Sequence, residues 1–208
     1  MKKIIYLLVI LCSSISLSQE IKNDTINIET KSKIISIGAK LGVPNLLSFN
    51  GELILPILGN HFAPYFDYGS FNLDLEDTPT SLNYSEYGIN YYIGNKGKGF
   101  YLGAGMGNLN TDITFNNLIF EENGVSKYGS VTTSLDISSL NLKLGIKTGG
   151  LIYTRIEVGY GMGSVPDRLN FTATSSGITE SFSEEIPSIP GITSSGLLIG
   201  NIGFGISF

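Results

Sequence analysis

The chain has 208 residues, among them 26 glycines, 11 tyrosines and 11 phenylalanines, with only 15% charged residues and a formal net charge of −5. That length fits a single domain, the acidic balance disfavours nucleic-acid binding, and no run beyond residue 19 reaches the roughly 20 apolar residues of a membrane-crossing helix. The composition is that of a β-rich membrane protein, with a soluble β-sandwich as the plain alternative.

At the N-terminus Lys2 and Lys3 precede the apolar run Ile4 to Leu11 and a small, polar stretch from Ser13 to Gln19. This is the order of a secretory signal, so residues 1–19 are expected to be removed. Cys12, the sole cysteine, follows Leu11, where a lipid-attachment signal would place a small residue. The mature chain is therefore expected to lack both lipid anchor and disulfide. Residues 20–32 read as a polar leader ahead of the first strand; within it Asp24-Thr25-Ile26 resembles a short signal for periplasmic O-glycosylation.

Eight stretches alternate with period two, at about 33–43, 47–57, 61–73, 82–93, 99–109, 134–147, 151–163 and 197–208. Each is close to the 9 to 11 residues of a tilted membrane strand. Ile35, Ile37, Ala39, Leu41 and Val43 share one face of the first, against Ser36, Gly38, Lys40 and Gly42. In the sixth, Leu140, Leu142, Leu144 and Ile146 oppose Ser139, Asn141, Lys143, Gly145 and Lys147. The apolar face of such strands is expected to meet lipid. The third stretch loses its parity near Gly69 to Phe71, where a bulge would account for the break.

Connections sort by parity. Residues 58–60, 94–98 and 148–150 are short and carry glycine, whereas 110–133 and 164–196 are long, with 44–46 and 74–81 on the same side as the long ones. Membrane barrels keep short turns at the periplasmic end and long loops outside. The predicted fold is all-β, an eight-stranded antiparallel up-and-down transmembrane β-barrel over residues 33–208, with both termini in the periplasm.

The inward faces then carry Lys40, Lys143, Lys147 and Arg155 against Glu52, Asp67, Glu86 and Glu157. An eight-stranded interior is just wide enough to be filled by side chains, so these charges are expected to pair as a structural network, with a proton or ion path as the functional alternative. Gly103, Gly105 and Gly107 superficially suggest a phosphate loop, but no helix is predicted to follow them; they read as room for large inward side chains such as Tyr101 and Arg155. His61, the one histidine, falls at the first short turn. No metal-ligand spacing or cofactor motif is present. The outer connections hold most of the acidic excess; a solvated surface is the plain account of it, with divalent cations bridging it to lipopolysaccharide phosphates as the functional alternative.

The last strand, Asn201-Ile-Gly-Phe-Gly-Ile-Ser-Phe208, ends the chain on an aromatic residue. It resembles the closing strand of outer-membrane β-barrels, with Asn201, Gly203, Ile206 and Phe208 on the positions read by the barrel-insertion machinery. The whole mature pattern is similar to small OmpX-like and OmpA-transmembrane-like barrels. The resemblance implies an outer-membrane location, contact with outer-membrane lipids and lipopolysaccharide, and a non-enzymatic role displaying loops or joining an outer-membrane complex. A lipid-modifying enzyme, which would need His61 or an acidic pair at the outer rim, and a narrow porin are the alternatives. In the displaying reading the contact residues are expected in the two long loops, at Phe115, Leu118, Ile119, Phe120, Phe171 and Ile192.

Overall fold

The computed structural model describes residues 33–75, 77–94, 97–122, 125–175, 177–186 and 190–208. The signal and leader readings fall on residues 1–32, outside the described residues. Among those described there are eleven strands and no α-helix: β1 (Ile35–Val43), β2 (Leu46–Leu53), β3 (Phe62–Leu75), β4 (Thr78–Tyr92), β5 (Gly99–Glu122), β6 (Val125–Lys147), β7 (Ile152–Gly163), β8 (Arg168–Ser175), β9 (Ile178–Glu185), β10 (Ile192–Thr193) and β11 (Gly196–Ser207). A short 3₁₀ turn, Ile57–Asn60, joins β2 to β3.

Neighbouring strands pair antiparallel from β1 through β7; β7 pairs with β11 and β11 returns to β1, so eight strands close a ring. The seam aligns Ser36 with Ser207 and Val43 with Gly200. At its lower edge the N–H groups of Ile34 and Ile35 both donate to the Phe208 carbonyl at 3.0 Å. We call this end of the ring, where β1 starts and β11 finishes, proximal, and the other distal.

Two expectations about the strands need correction. The second stretch ends at Leu53 rather than 57, because the chain turns inward there and buries Ile54 against Ala63, Tyr92 and Tyr101. No bulge interrupts β3: its register with β4 runs unbroken from Phe62↔Tyr91 to Leu75↔Thr78. The register shift lies in β5, between Phe115 and Leu118.

The expected long loops are also replaced by strands. β5 and β6 stay paired past the ring, from Asn110↔Asp136 to Glu122↔Val125. β8 takes over from β7 on the other edge of β6, aligning Thr133 with Phe171, and β9 pairs back on β8. β3 and β4 stay paired as far as Leu75↔Thr78. The distal wall is thus a sheet in the order β3-β4-β5-β6-β8-β9, and among the described residues no pairing joins β9 to β3. On the opposite side the β1–β2 turn stays low, at residues 44–45.

The reason these hairpins look like loops in the sequence is that their alternation changes sign. Within the ring, outward positions are apolar, as in the aligned row Tyr87–Met106–Leu140. One step further the outward row is Ser85–Asn108–Ser138, then Asn83–Asn110–Asp136, then Ser81–Asp112–Ser134. Inward positions change in the opposite sense, from Glu86–Gly107–Ser139 to Tyr84–Leu109–Ile137, then Leu82–Thr111–Leu135. Because successive side chains point to opposite faces, the strands themselves need no irregularity for this; the chemistry switches faces while the backbone continues. The apparent loss of parity at Gly69 to Phe71 is the same switch on β3, with Ser70 outward, donating to Asn83 Oδ1 at 2.7 Å, and Phe71 inward.

Candidate functional site

The structure places all eight charges named from the sequence inside the ring, each at most 3% exposed. They form two linked groups. In the proximal group Glu52 on β2 receives Lys147 Nζ at 2.6 Å and Arg155 Nη2 at 2.7 Å, with Asn90 and Tyr92 donating at 2.8 and 2.9 Å. Lys147 also donates to Ser36 Oγ at 2.7 Å, and Arg155 Nη1 to Asn50 Oδ1 at 3.2 Å. In the second group Lys40 on β1 bridges Asp67 at 2.8 Å and Glu157 at 2.9 Å. Lys143 sits 2.8 Å from Glu86 and 4.3 Å from the Tyr65 ring centroid, a cation–π distance. Arg155 Nη1, 3.6 Å from Glu157, links the groups.

Desolvating charges is costly unless they are paired and their remaining hydrogen-bonding capacity is met. Tyrosines and amides meet most of it, leaving Arg155 Nε without a hydrogen-bond partner among the described residues. Tyr65 and Tyr84 donate to the two oxygens of Glu86, and Tyr101 to Glu157, all at 2.5 Å; Asn50 donates to Asp67. Sequence reasoning named the charges and, of this tyrosine shell, only Tyr101. Its signal is present: Tyr65, Tyr84, Tyr92, Tyr101 and Tyr153 all stand at inward parity and are buried.

Glycines on facing strands admit these rings. A Cβ on Gly145 would stand 2.2 Å from Tyr101 Cζ, and one on Gly105 would stand 2.4 Å from the Tyr65 hydroxyl. Gly103, Gly105 and Gly107 lie on strand β5, with no helix after them among the described residues. Gly203 faces inward beside Lys40 and Arg155, with Asn201 on the same face, while Ile206 and Phe208 face outward.

Apolar clusters bound the charged layer at both ends. Proximally Ile54, Ala63, Tyr92 and Tyr101 pack together, and the β4–β5 turn folds over them, with Gly97 against Ile54. Distally Ile137, Val165, Leu197 and Ile199 pack together, supported by Leu109, Leu135 and Ile192. His61 belongs to the proximal rim: its Nδ1 lies 2.7 Å from the Tyr92 carbonyl and its ring stacks on Tyr91.

The residues expected to make contacts in loops lie on strands instead. Phe115 (β5) and Phe171 (β8) point to the concave face of the distal sheet and are partly buried. Past the β5 bulge, which inserts one residue and so exchanges odd for even positions, Leu118 and Phe120 join that face. Ile119, aligned with Tyr128, faces the opposite way and both are largely exposed. Ile192, on β10, packs on the distal apolar cluster.

The concave face continues with Phe71, Leu73, Leu82, Ile113 and Val131, and Phe171 stacks on Phe182 of β9 at 5.3 Å. Up to the β5 bulge the convex face of β5 and β6 carries Ser, Thr, Asn and Asp, cross-linked along the rows: Ser138 donates to Asn108 at 2.9 Å and Asn110 to Asp136 at 2.5 Å.

No known family model matches this chain, and no curated protein matches it.

Proposed function

We propose that the chain is a β-barrel spanning the outer membrane, with a closed lumen, whose distal sheet stands outside the bilayer and carries its binding role, alone or as an accessory subunit of an outer-membrane complex. The observation that carries this reading is the change of sign in the alternation. A sheet that stands in water turns a polar face outward, and the distal sheet does so along Ser85–Asn108–Ser138 and the rows beyond. The ring does the reverse around its whole circumference, burying charge and exposing Leu41, Phe49, Leu102, Leu142, Ile156 and Ile202. Monomeric soluble proteins rarely expose apolar patches beyond roughly a few hundred Å², whereas a lipid-facing wall requires one.

The height of the belt agrees. On β1 the outward apolar positions run from Ile35 to Val43, nine residues, about 30 Å along the strand and about 23 Å across the bilayer at a tilt near 40°. Closure also supports the reading, since a ring leaves no unpaired strand edge in hydrocarbon. Aromatic side chains stand outward at both margins, Tyr68 and Tyr87 distally, Tyr91, Phe100 and Phe208 proximally, as interfacial girdles do. The apolar clusters and neutral ion-paired layer favour a plug over a conduit.

The test is reconstitution. Purified protein should enter phosphatidylcholine vesicles, become heat-modifiable on gels and leave a planar bilayer without ion conductance. Failure to insert would remove the membrane reading; steady single-channel steps, abolished by a bulky residue at Gly105, would favour the porin instead.

A further inference from the structure

A sheet with one apolar face needs a second layer on that face. The distal sheet has such a face, and none of the described residues lays a helix or second sheet over it. The cleft opens between two free edges. Leu73 on β3 keeps 44% of its surface and Phe182 on β9 keeps 45%, so the apolar lining reaches both lips. On the β9 lip Glu180 and Glu184 stand two residues either side of Phe182, at the same parity, and neither carboxylate has a side-chain hydrogen-bond or ion-pair partner among the described residues.

From this we infer that the cleft docks a basic amphipathic helix of a partner protein, with its apolar face on Phe71, Leu73, Phe115, Phe171 and Phe182 and its cations toward Glu180 and Glu184. The inference rests on the preceding reading, which puts this sheet in water. An apolar floor with an acidic lip selects an apolar face flanked by lysine or arginine, the helix-in-groove mode of recognition. Dimensions agree: from Leu109 to Phe115 the inward column of β5 is seven residues, about 23 Å, the length of a helix of roughly 15 residues. The acidic lip also argues against the two other occupants an apolar cleft could take. An anionic lipid would be repelled, and a second copy would set like charges against each other.

The experiment uses the full chain in nanodiscs of phosphatidylcholine, which carries no net charge, with empty nanodiscs as the blank. The probe is a fluorescent 15-residue helix of leucine and lysine, leucine on one face; a leucine–glutamate helix is the comparison. We expect saturable binding of the leucine–lysine helix only, weaker as salt rises. Leu73→Ser with Phe182→Ser should weaken it at least about tenfold. Glu180→Gln with Glu184→Gln should weaken it about threefold or more while leaving the apolar floor intact. No binding above the blank, equal binding of both helices, or indifference to both double variants would overturn the inference. A dimer, or a stoichiometric bound lipid, that is lost in the Leu73/Phe182 variant would overturn it in favour of the other occupants. Nanodisc entry and heat-modifiability, scored on the same samples, report separately on the membrane reading. Should entry fail, the same titration on detergent-free protein still decides the docking.

Discussion

Glu52→Gln is the sharpest perturbation of the lumen, because it keeps the side-chain shape and removes one charge from a site that two cations share. Lys147 and Arg155 lie 2.6 and 2.7 Å from its oxygens. After the change Arg155 keeps Glu157 at 3.6 Å as its carboxylate partner beside the neutral Asn50 at 3.2 Å, and Lys147, its ion pair gone, keeps the neutral Ser36 hydroxyl at 2.7 Å. Breaking a buried ion pair by removing one partner costs roughly 3 to 5 kcal/mol, and here two cations lose it, so we expect about 4 kcal/mol. With a denaturant slope of about 2 kcal/mol/M, the urea midpoint for unfolding from vesicles should fall by about 2 M. Adding Lys147→Met makes the lumen neutral again, and the double variant should recover at least about 1.5 kcal/mol relative to additive losses. A midpoint shift below about 0.5 M, or strict additivity, would refute the claim that these buried charges stabilise one another.

Three further outcomes follow from the faces, the seam and the packing. Leu142→Arg, in the apolar row pattern, should cost about 2 to 4 kcal/mol in vesicles, and Asn108→Lys, one row beyond Met106, at most about 1; equal costs in urea titrations would erase the boundary drawn between those rows. Removing Phe208 takes away the carbonyl that accepts from Ile34 and Ile35, so the yield of heat-modifiable protein in the outer membrane should drop, and an unchanged yield would deny the seam this role. Gly145→Val should destabilise by about 1 to 3 kcal/mol through overpacking on Tyr101, and Tyr101→Ser in the same chain should return most of the loss; no rescue would mean that the ring is not what the glycine accommodates.

The ring was legible in the chain because period two survives wherever one face must be apolar throughout: Leu140, Leu142, Leu144 and Ile146 against Asn141, Lys143 and Lys147 leave one orientation open. The pairing of the inward charges was not legible. Lys40 meets Glu157 across 117 positions of sequence, and which carboxylate faces which cation depends on how far each strand is staggered past the next. The distal strands escaped for a different reason. Asn110 and Asp112 read as loop residues when an apolar outer face is expected, and Ile113 and Phe115 only make sense once the inside is allowed to become the dry side. The β5–β6 hairpin was hidden further by the single inserted residue near Asn117, whose positive φ is 56°, because it shifts the parity of the rest of β5.

The placement of the interior charges has a consequence for how the protein is made. Strands β1 to β4 bring one cation, Lys40, and three carboxylates, Glu52, Asp67 and Glu86; β6 and β7 bring three cations, Lys143, Lys147 and Arg155, and one carboxylate, Glu157. A half-built sheet holding only the first four strands is left with an acid surplus, and the later strands arrive with the matching base surplus. Neither half can shed water from its inner face until the other stands opposite in the right stagger. Closure therefore brings together two halves of opposite charge excess within one polypeptide, and a shifted seam would leave buried charges unpaired.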